Sequence, residues 1–183
     1  MNESTDQKPL VTGLFNDRDA AERAYAAAES RGYTRDDVNL LMSDDARNRH
    51  FGEGTVETEL GNKALEGAGT GSAIGGTLGA IIGGIAAIGT NIFLPGLGLI
   101  VWGPLAAALA GAGAGGLAGG LIGALVGYGI PEEHAAVYES GIKDGDIFMG
   151  INPRTQEDAD YFQNDWQGYG KNVNSVKSKS VAG

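Results

Sequence analysis

The sequence predicts an α+β fold, and three of its segments support that prediction. Residues 10–43 have the pattern of a strand, a helix and a strand, and residues 145–176 have that of a strand, a helix and a short last strand. Between them, the 64 residues from Gly67 to Ile130 contain no Asp, Glu, Lys, Arg or His. Without the intervening residues, the order β-α-β followed by β-α-(β) is that of a ferredoxin-like domain. We therefore expect such a domain with an α-helical hairpin inserted between its strands 2 and 3.

The first half of the domain follows a polar tail, residues 1–9. Leu10–Phe15 is short and apolar, which is typical of a buried strand. Asn16 and Asp17 can cap the alanine-rich helix that follows and ends at Gly32. In residues 37–43, apolar Val38, Leu40 and Met42 alternate with other residues, which predicts the second strand.

The second half begins after a helix predicted over residues 131–144, where Pro131 precedes two acidic residues and Gly145 follows. A third strand is predicted over residues 146–152. Thr155-Gln-Glu-Asp158 is close to a capping box and indicates a helix that continues to Gly168. The last elements are a short strand within residues 171–176 and a tail, residues 177–183, that we expect to be disordered.

Glycine recurs at every fourth position in two runs of the uncharged block. Residues four apart share one face of a helix, and small residues there allow two backbones to approach closely. The block is therefore predicted to form two helices that pack through their glycine faces as a glycine zipper. The helix-packing residues would be Gly67, Gly71, Gly75, Gly79, Gly83, Gly111, Gly115, Gly119, Gly123 and Gly127.

The two helices are predicted over about residues 67–90 and 104–128. Each would be roughly 36 Å long at about 1.5 Å per residue, enough for the roughly 30 Å core of a bilayer. The connector between them is apolar, so it either stays in the bilayer or is buried against other protein. The residues at the predicted hairpin tip are Phe93, Pro95, Trp102 and Pro104.

The formal charge of −10 lies outside this block, partly in an acidic linker with a helical end predicted over residues 44–66. An acidic chain repels phosphate backbones, so we expect no nucleic-acid partner. Electrostatics likewise gives no attraction to anionic lipids.

There is no cysteine, which excludes disulfides and thiolate chemistry. The polar N-terminus lacks an apolar signal core, which predicts the cytoplasm or the cytoplasmic side of a membrane; the family resemblance described next implies that this membrane is a bacterial inner membrane.

A family resemblance is carried by the two stretches Val11–Ala24 and Arg31–Leu41. They look like the opening of the bacterial general-stress-protein 17M-like (heat-induced stress protein) domain. The glycine block followed by Gly129–His134 is similar to longer members with such an insertion. The resemblance implies a bacterial stress-associated protein and supplies no catalytic residues. Gly150–Asn152 takes the place where members often carry a histidine or an acid, so no site residue is carried over.

Other patterns in the sequence predict no catalytic, cofactor or metal site. Gly111-Ala-Gly-Ala-Gly-Gly116 matches a dinucleotide fingerprint but lies within a helical glycine run. His50 and His134 have acidic sequence neighbours, yet surface positions explain both better than a shared metal site. The acidic residues of 44–66 lack the spacing of a calcium loop. An aromatic set at helical spacing is interpreted as core and rim rather than as a ligand-binding wall; its members are Tyr161, Phe162, Trp166 and Tyr169.

The functional expectation is a non-enzymatic, stress-associated homo-oligomer whose glycine-zipper hairpin also associates with the lipid bilayer. One alternative is a soluble self-assembling scaffold whose hairpins share a buried core. Another is a domain that senses a small molecule, which rests on fold analogy alone. The sequence identifies no ligand for such a sensor.

Overall fold

The computed structural model describes residues 9–51, 92–94, 98–106 and 120–177, and these show an α+β fold. A single 3₁₀ turn, Arg35–Asp37, precedes the second strand. The strands are β1 (Pro9–Phe15), β2 (Val38–Ser43), β3 (Ile92–Leu94), β4 (Leu99–Trp102), β5 (Ile147–Ile151) and β6 (Lys171–Lys177). The helices are α1 (Arg18–Ser30), α2 (Asp44–Phe51), α3 (Gly120–Tyr128), α4 (Glu132–Asp144) and α5 (Gln156–Gln167).

The six strands form one sheet in the order β3-β4-β2-β5-β1-β6. Each neighbouring pair is antiparallel. In the centre of the sheet, Gly150 of β5 lies opposite Thr12 of β1 on one side and Asn39 of β2 on the other. Because successive side chains of a strand point to opposite faces, this register assigns the apolar residues of β1, β2 and β5 to two separate cores.

Helices cover both faces of the sheet. On one face, α1 and α5 pack over Phe15, Met42 and Met149, and they contribute the fully buried Phe162 and Trp166. On the other face, the core contains α3 and α4 together with side chains of β1, β2 and β4; among its residues are Leu14, Leu41, Leu125, Tyr138 and Ile142. Both faces of β2 are consequently buried, although the sequence pattern predicts a strand with one apolar face.

Local capping explains where several helices begin and end. The Asp17 side chain accepts a hydrogen bond from the backbone N–H of Ala20 at 2.8 Å and caps α1. The Thr155 hydroxyl accepts one from the N–H of Asp158 at 3.1 Å and caps α5. Helix α4 ends at Gly145, which has a left-handed backbone conformation. These elements lie within a residue or two of the sequence prediction.

The connector between the two predicted helices differs from its prediction as a hairpin tip. Phe93 lies in β3 and Trp102 in β4, and β4 pairs with the edge of β2. Leu99 and Val101 are buried, and the indole N–H of Trp102 donates to the carbonyl of Arg35 at 3.1 Å. The apolar connector is thus explained by burial against its own domain. Pro104 is helical together with the next two residues, after which the description of this part stops at residue 106, and Pro95 lies outside the described residues.

The predicted second helix, residues 104–128, is described only at its two ends. It does not continue unbroken through Gly120, whose φ of +63° belongs to the left-handed region and not to a right-handed helix. Residues 67–90, the first predicted helix, lie outside the described part of the chain. Residues 44–51 of the predicted acidic linker form α2, which buries Ala46. In the described ranges, no helix is both long and apolar enough to cross a membrane.

Candidate functional site

Two of the ten predicted packing glycines, Gly123 and Gly127, lie in the described structure, in α3; the other eight lie outside it. Helix α3 turns Leu121, Ala124 and Leu125 toward the sheet, where all three are buried. Gly127 is exposed, and no heavy atom of the described residues lies within 4 Å of a Cβ built on it. The side of α3 that packs on this domain is therefore the leucine side. Among the described residues, none occupies the space beside Gly127.

The outer surface of α3 has no charged residue and no polar side chain apart from the Tyr128 hydroxyl. Val126 is 42% exposed, which makes it the most exposed large hydrophobic residue among those described. The solvent side of a surface helix normally carries polar and charged residues. An outer face of Gly123, Val126 and Gly127 is instead typical of a helix that contacts another apolar surface.

Helix α4 extends this apolar surface, because it packs against α3 in the same layer. Its exposed residues include Ala136 and Val137, and Val137 is 41% exposed. The exposed acids Glu132 and Glu133 lie in the first turn of α4. We call the exposed set Val126, Gly127, Ala136 and Val137 the α3–α4 surface.

The opposite helical layer has the charged exterior expected of a solvated surface. Its exposed residues include Asp19, Arg23, Glu29, Glu157 and Asp160. The one large hydrophobic residue exposed in this layer is Tyr161, at 36%, and the guanidinium of Arg31 stacks 4.2 Å from the centre of its ring. Among the described residues, the two layers therefore differ in chemistry, since the exposed large aliphatic side chains, Val126 and Val137, both belong to the α3–α4 layer.

A buried asparagine holds the α3–α4 layer on the sheet. Asn39 of β2 is 1% exposed. Its amide nitrogen donates to the hydroxyl of Tyr128 at 3.0 Å, and its carbonyl oxygen accepts from the backbone N–H of Leu105 at 2.7 Å. Burial raises the pKa of the Tyr128 hydroxyl, while the hydrogen bond from Asn39 lowers it. The sequence analysis missed this contact, although one polar residue within the apolar run of β2 is a signal that a buried partner is needed.

A second buried polar cluster anchors α4. The hydroxyls of Tyr138 and Thr12 lie 2.7 Å apart, and neither residue is exposed. The Tyr138 hydroxyl also donates to the carbonyl of Asn172 at 3.0 Å and accepts from the side-chain amide of Asn174 at 3.1 Å. Burial raises the pKa of Tyr138. With every polar atom satisfied, the cluster has the character of a structural network joining α4 to β1 and β6.

A charged cluster ties the end of α1 to the start of α5. Asp158 accepts from Nε of Arg31 at 2.6 Å and from the Tyr33 hydroxyl at 2.7 Å. Arg154 stacks over the Tyr33 ring at 4.4 Å and donates to Asp37 at 2.9 Å. The hydrogen bond from Tyr33, followed by that from Arg31, lowers the pKa of Asp158. These groups satisfy one another, which is the arrangement of a structural network.

We expect this cluster to make the free energy of unfolding depend on pH in the acidic range. Because the pKa of Asp158 is lower in the folded protein than in the unfolded chain, its stabilising effect is present above the unfolded value of about 4. That effect is lost as the pH falls through the folded pKa. At neutral pH, the Asp158→Asn variant should therefore be less stable than wild type. Between pH 7 and pH 3, its urea midpoint should fall by less than the urea midpoint of wild type does. Asp160→Asn, on the same helix, is the control, and a wild-type acid profile in Asp158→Asn would contradict the prediction.

The two histidines and the aromatic residues weighed in the sequence analysis lie in different parts of the described structure. Nε2 of His50 lies 3.1 Å from the carbonyl oxygen of Gly145, and His134 lies in the first turn of α4. No cluster of three His, Asp or Glu residues that could hold a metal occurs in the described ranges. Phe162 and Trp166 are fully buried, and Tyr169 donates its hydroxyl hydrogen bond to Asp165.

Comparison of the chain with protein-family models, with curated protein sequences and with solved structures gives no match. Because no related protein indicates a function, the functional proposal is based on the α3–α4 surface.

Proposed function

We propose that this protein is a non-enzymatic, stress-associated scaffold that associates with a second copy of itself through the α3–α4 surface. The observation that carries the proposal is the outer face of α3, where Val126 is exposed beside Gly127 and a side chain at Gly127 would meet no described atom. Burial of such a face against an identical one removes apolar area from water. The glycines allow the two helices to approach closely, and no charged side chain of α3 is desolvated.

The charge of the chain provides no electrostatic attraction to a lipid surface. The net charge is −10, and Glu132 and Glu133 lie exposed at the start of α4. Basic residues are what attract a protein to anionic lipid, and the described surface beside α3 offers acids instead. Contact between two uncharged α3 faces needs no electrostatic attraction.

Two observations support the domain type and the stress association within this proposal. The central strands run in the order β2-β5-β1-β6, which is the order that a ferredoxin-like domain would have if the residues between β2 and β5 were an insertion. The stress association rests on the resemblance of residues 11–24 and 31–41 to the bacterial stress-protein domain. We accordingly propose a ferredoxin-like core with an assembly-forming insertion.

The proposal is tested by measuring self-association of wild type, Val126→Lys and Tyr161→Lys by sedimentation equilibrium without detergent. A lysine ammonium in an apolar interface must be desolvated, so Val126→Lys should raise the dissociation constant at least about tenfold, or roughly 1.4 kcal/mol. Tyr161→Lys changes a residue of similar exposure on the opposite layer and should leave the constant unchanged.

Two outcomes would overturn the proposal. If Val126→Lys associates as tightly as wild type, the α3–α4 surface is not the interface. If fractionation of the native host leaves the protein in membranes after an alkaline carbonate wash, lipid and not a second copy is the occupant of the apolar surface. The protein would then lie on the cytoplasmic side of the inner membrane, as the sequence analysis expects, rather than in a cytoplasmic assembly.

A further inference from the structure

We infer that Asn39 is a positioning residue that orients α3 so that its outer face can meet another copy of the chain. This inference rests on the proposed self-association. Asn39 is the second residue of β2, in register with Gly150 of β5, and its side chain shares the face of Leu41, on which α3 packs. It therefore reaches the α3–α4 layer from the rigid centre of the sheet.

The side-chain amide of Asn39 links the residues just after β4 to the end of α3. Its oxygen accepts from the N–H of Leu105, and its nitrogen donates to the hydroxyl of Tyr128, in the last position of α3. Asn39 is 1% exposed and its bond to Leu105 is buried, while Tyr128 is half-buried. A single side chain thereby sets the distance between Leu105 and the end of α3.

The orientation of α3 depends on this contact because its remaining attachments are less directional. The helix has nine residues, and its buried contacts to the sheet come from Leu121, Ala124 and Leu125. Apolar contacts are non-directional and permit a short helix to rotate or slide, whereas a hydrogen bond restricts both distance and angle. The hydrogen bond described between a side chain of α3 and the sheet is the one that the Tyr128 hydroxyl accepts from Asn39. A rotation of α3 would move Val126 and Gly127 away from the surface they share with α4.

The experiment compares Tyr128→Phe with Tyr138→Phe in the full chain. Each variant removes one buried tyrosine hydroxyl from the same helical layer, but only Tyr128 belongs to α3. We expect Tyr128→Phe to raise the dissociation constant for self-association at least about fivefold, and to increase amide hydrogen exchange in residues 120–128. Tyr138→Phe should lower the melting temperature and leave the dissociation constant unchanged, measured well below that temperature.

The outcomes separate this inference from the proposed function. If Val126→Lys dissociates the assembly and Tyr128→Phe does not, the positioning role of Asn39 is overturned while the proposed interface stands. If Tyr138→Phe weakens association as much as Tyr128→Phe does, the effect is a general loss of layer stability, and the specific role is overturned. If wild type is monomeric at all concentrations, both the proposed function and this inference fail.

Discussion

Replacing Gly103 with alanine is expected to destabilise the protein by at least about 3 kcal/mol. Gly103 has a φ of +90°, where an L-residue is strained by about 1–3 kcal/mol. A Cβ at this position would lie 2.3 Å from the carbonyl oxygen of Val38 and 3.0 Å from Cα of Asn39. Both contacts are with the backbone of β2, a central strand that cannot move without losing its pairing with β4 and β5. The measurement is urea unfolding followed by circular dichroism.

Gly127→Ala provides the matched control for this substitution. Gly127 lies in α3, and no described heavy atom would contact its Cβ. Alanine is favoured over glycine in a helix by up to about 1 kcal/mol, so this variant should be as stable as wild type or more so. A Gly103→Ala protein with the urea midpoint of wild type would show that β4 does not approach β2 as closely as described.

Replacing Asn39 with leucine is expected to cost roughly 2–4 kcal/mol. Leucine has a similar size but can neither accept from the N–H of Leu105 nor donate to the hydroxyl of Tyr128. A buried polar group left without a partner costs about 1–3 kcal/mol. The buried N–H of Leu105 has no other acceptor described, so most of the loss should come from it. Thermal and urea unfolding of the purified variant measure the effect.

Tyr128→Phe isolates the smaller half of this interaction. It leaves the side-chain amide of Asn39 without its acceptor, while the oxygen of Asn39 still accepts from Leu105, so we expect a loss of about 1–2 kcal/mol, smaller than that of Asn39→Leu. Combining both substitutions should cost little more than Asn39→Leu alone, since the two residues share one hydrogen bond. Fully additive losses in this double-mutant cycle would contradict the contact between Asn39 and Tyr128.

The elements that could be predicted well are those whose determinants are local. Asp17 and Thr155 cap their helices through hydrogen bonds to backbone groups three residues away, and such spacing is visible in the sequence. Gly145 ends α4 where the sequence analysis expects it to end. In each case the interacting groups lie within one helical turn, so no knowledge of the rest of the fold is needed.

The connector could not be predicted because its partner is far away in the chain. Leu99–Trp102 is a short apolar run, and such a run is equally consistent with a strand, a buried loop or a membrane segment. Val101 lies opposite Leu41 in the sheet. That pairing adds β4 and β3 to the edge of β2 and buries Leu99 and Val101, and nothing within the connector itself encodes it.

On α3, the local sequence is sufficient to predict which residues share a face, since Gly123 and Gly127 are four apart and lie together on any helix. It is also sufficient to show that α3 carries no charge. Which face is buried depends on the rest of the fold: the leucine side of α3 lies in the core that contains Leu14 and Leu41, and Gly127 is left exposed. Leu121 and Leu125 are buried because they remove more apolar area from water than glycine can. The core that receives them is built by β1 and β2, which are distant from α3 in the chain.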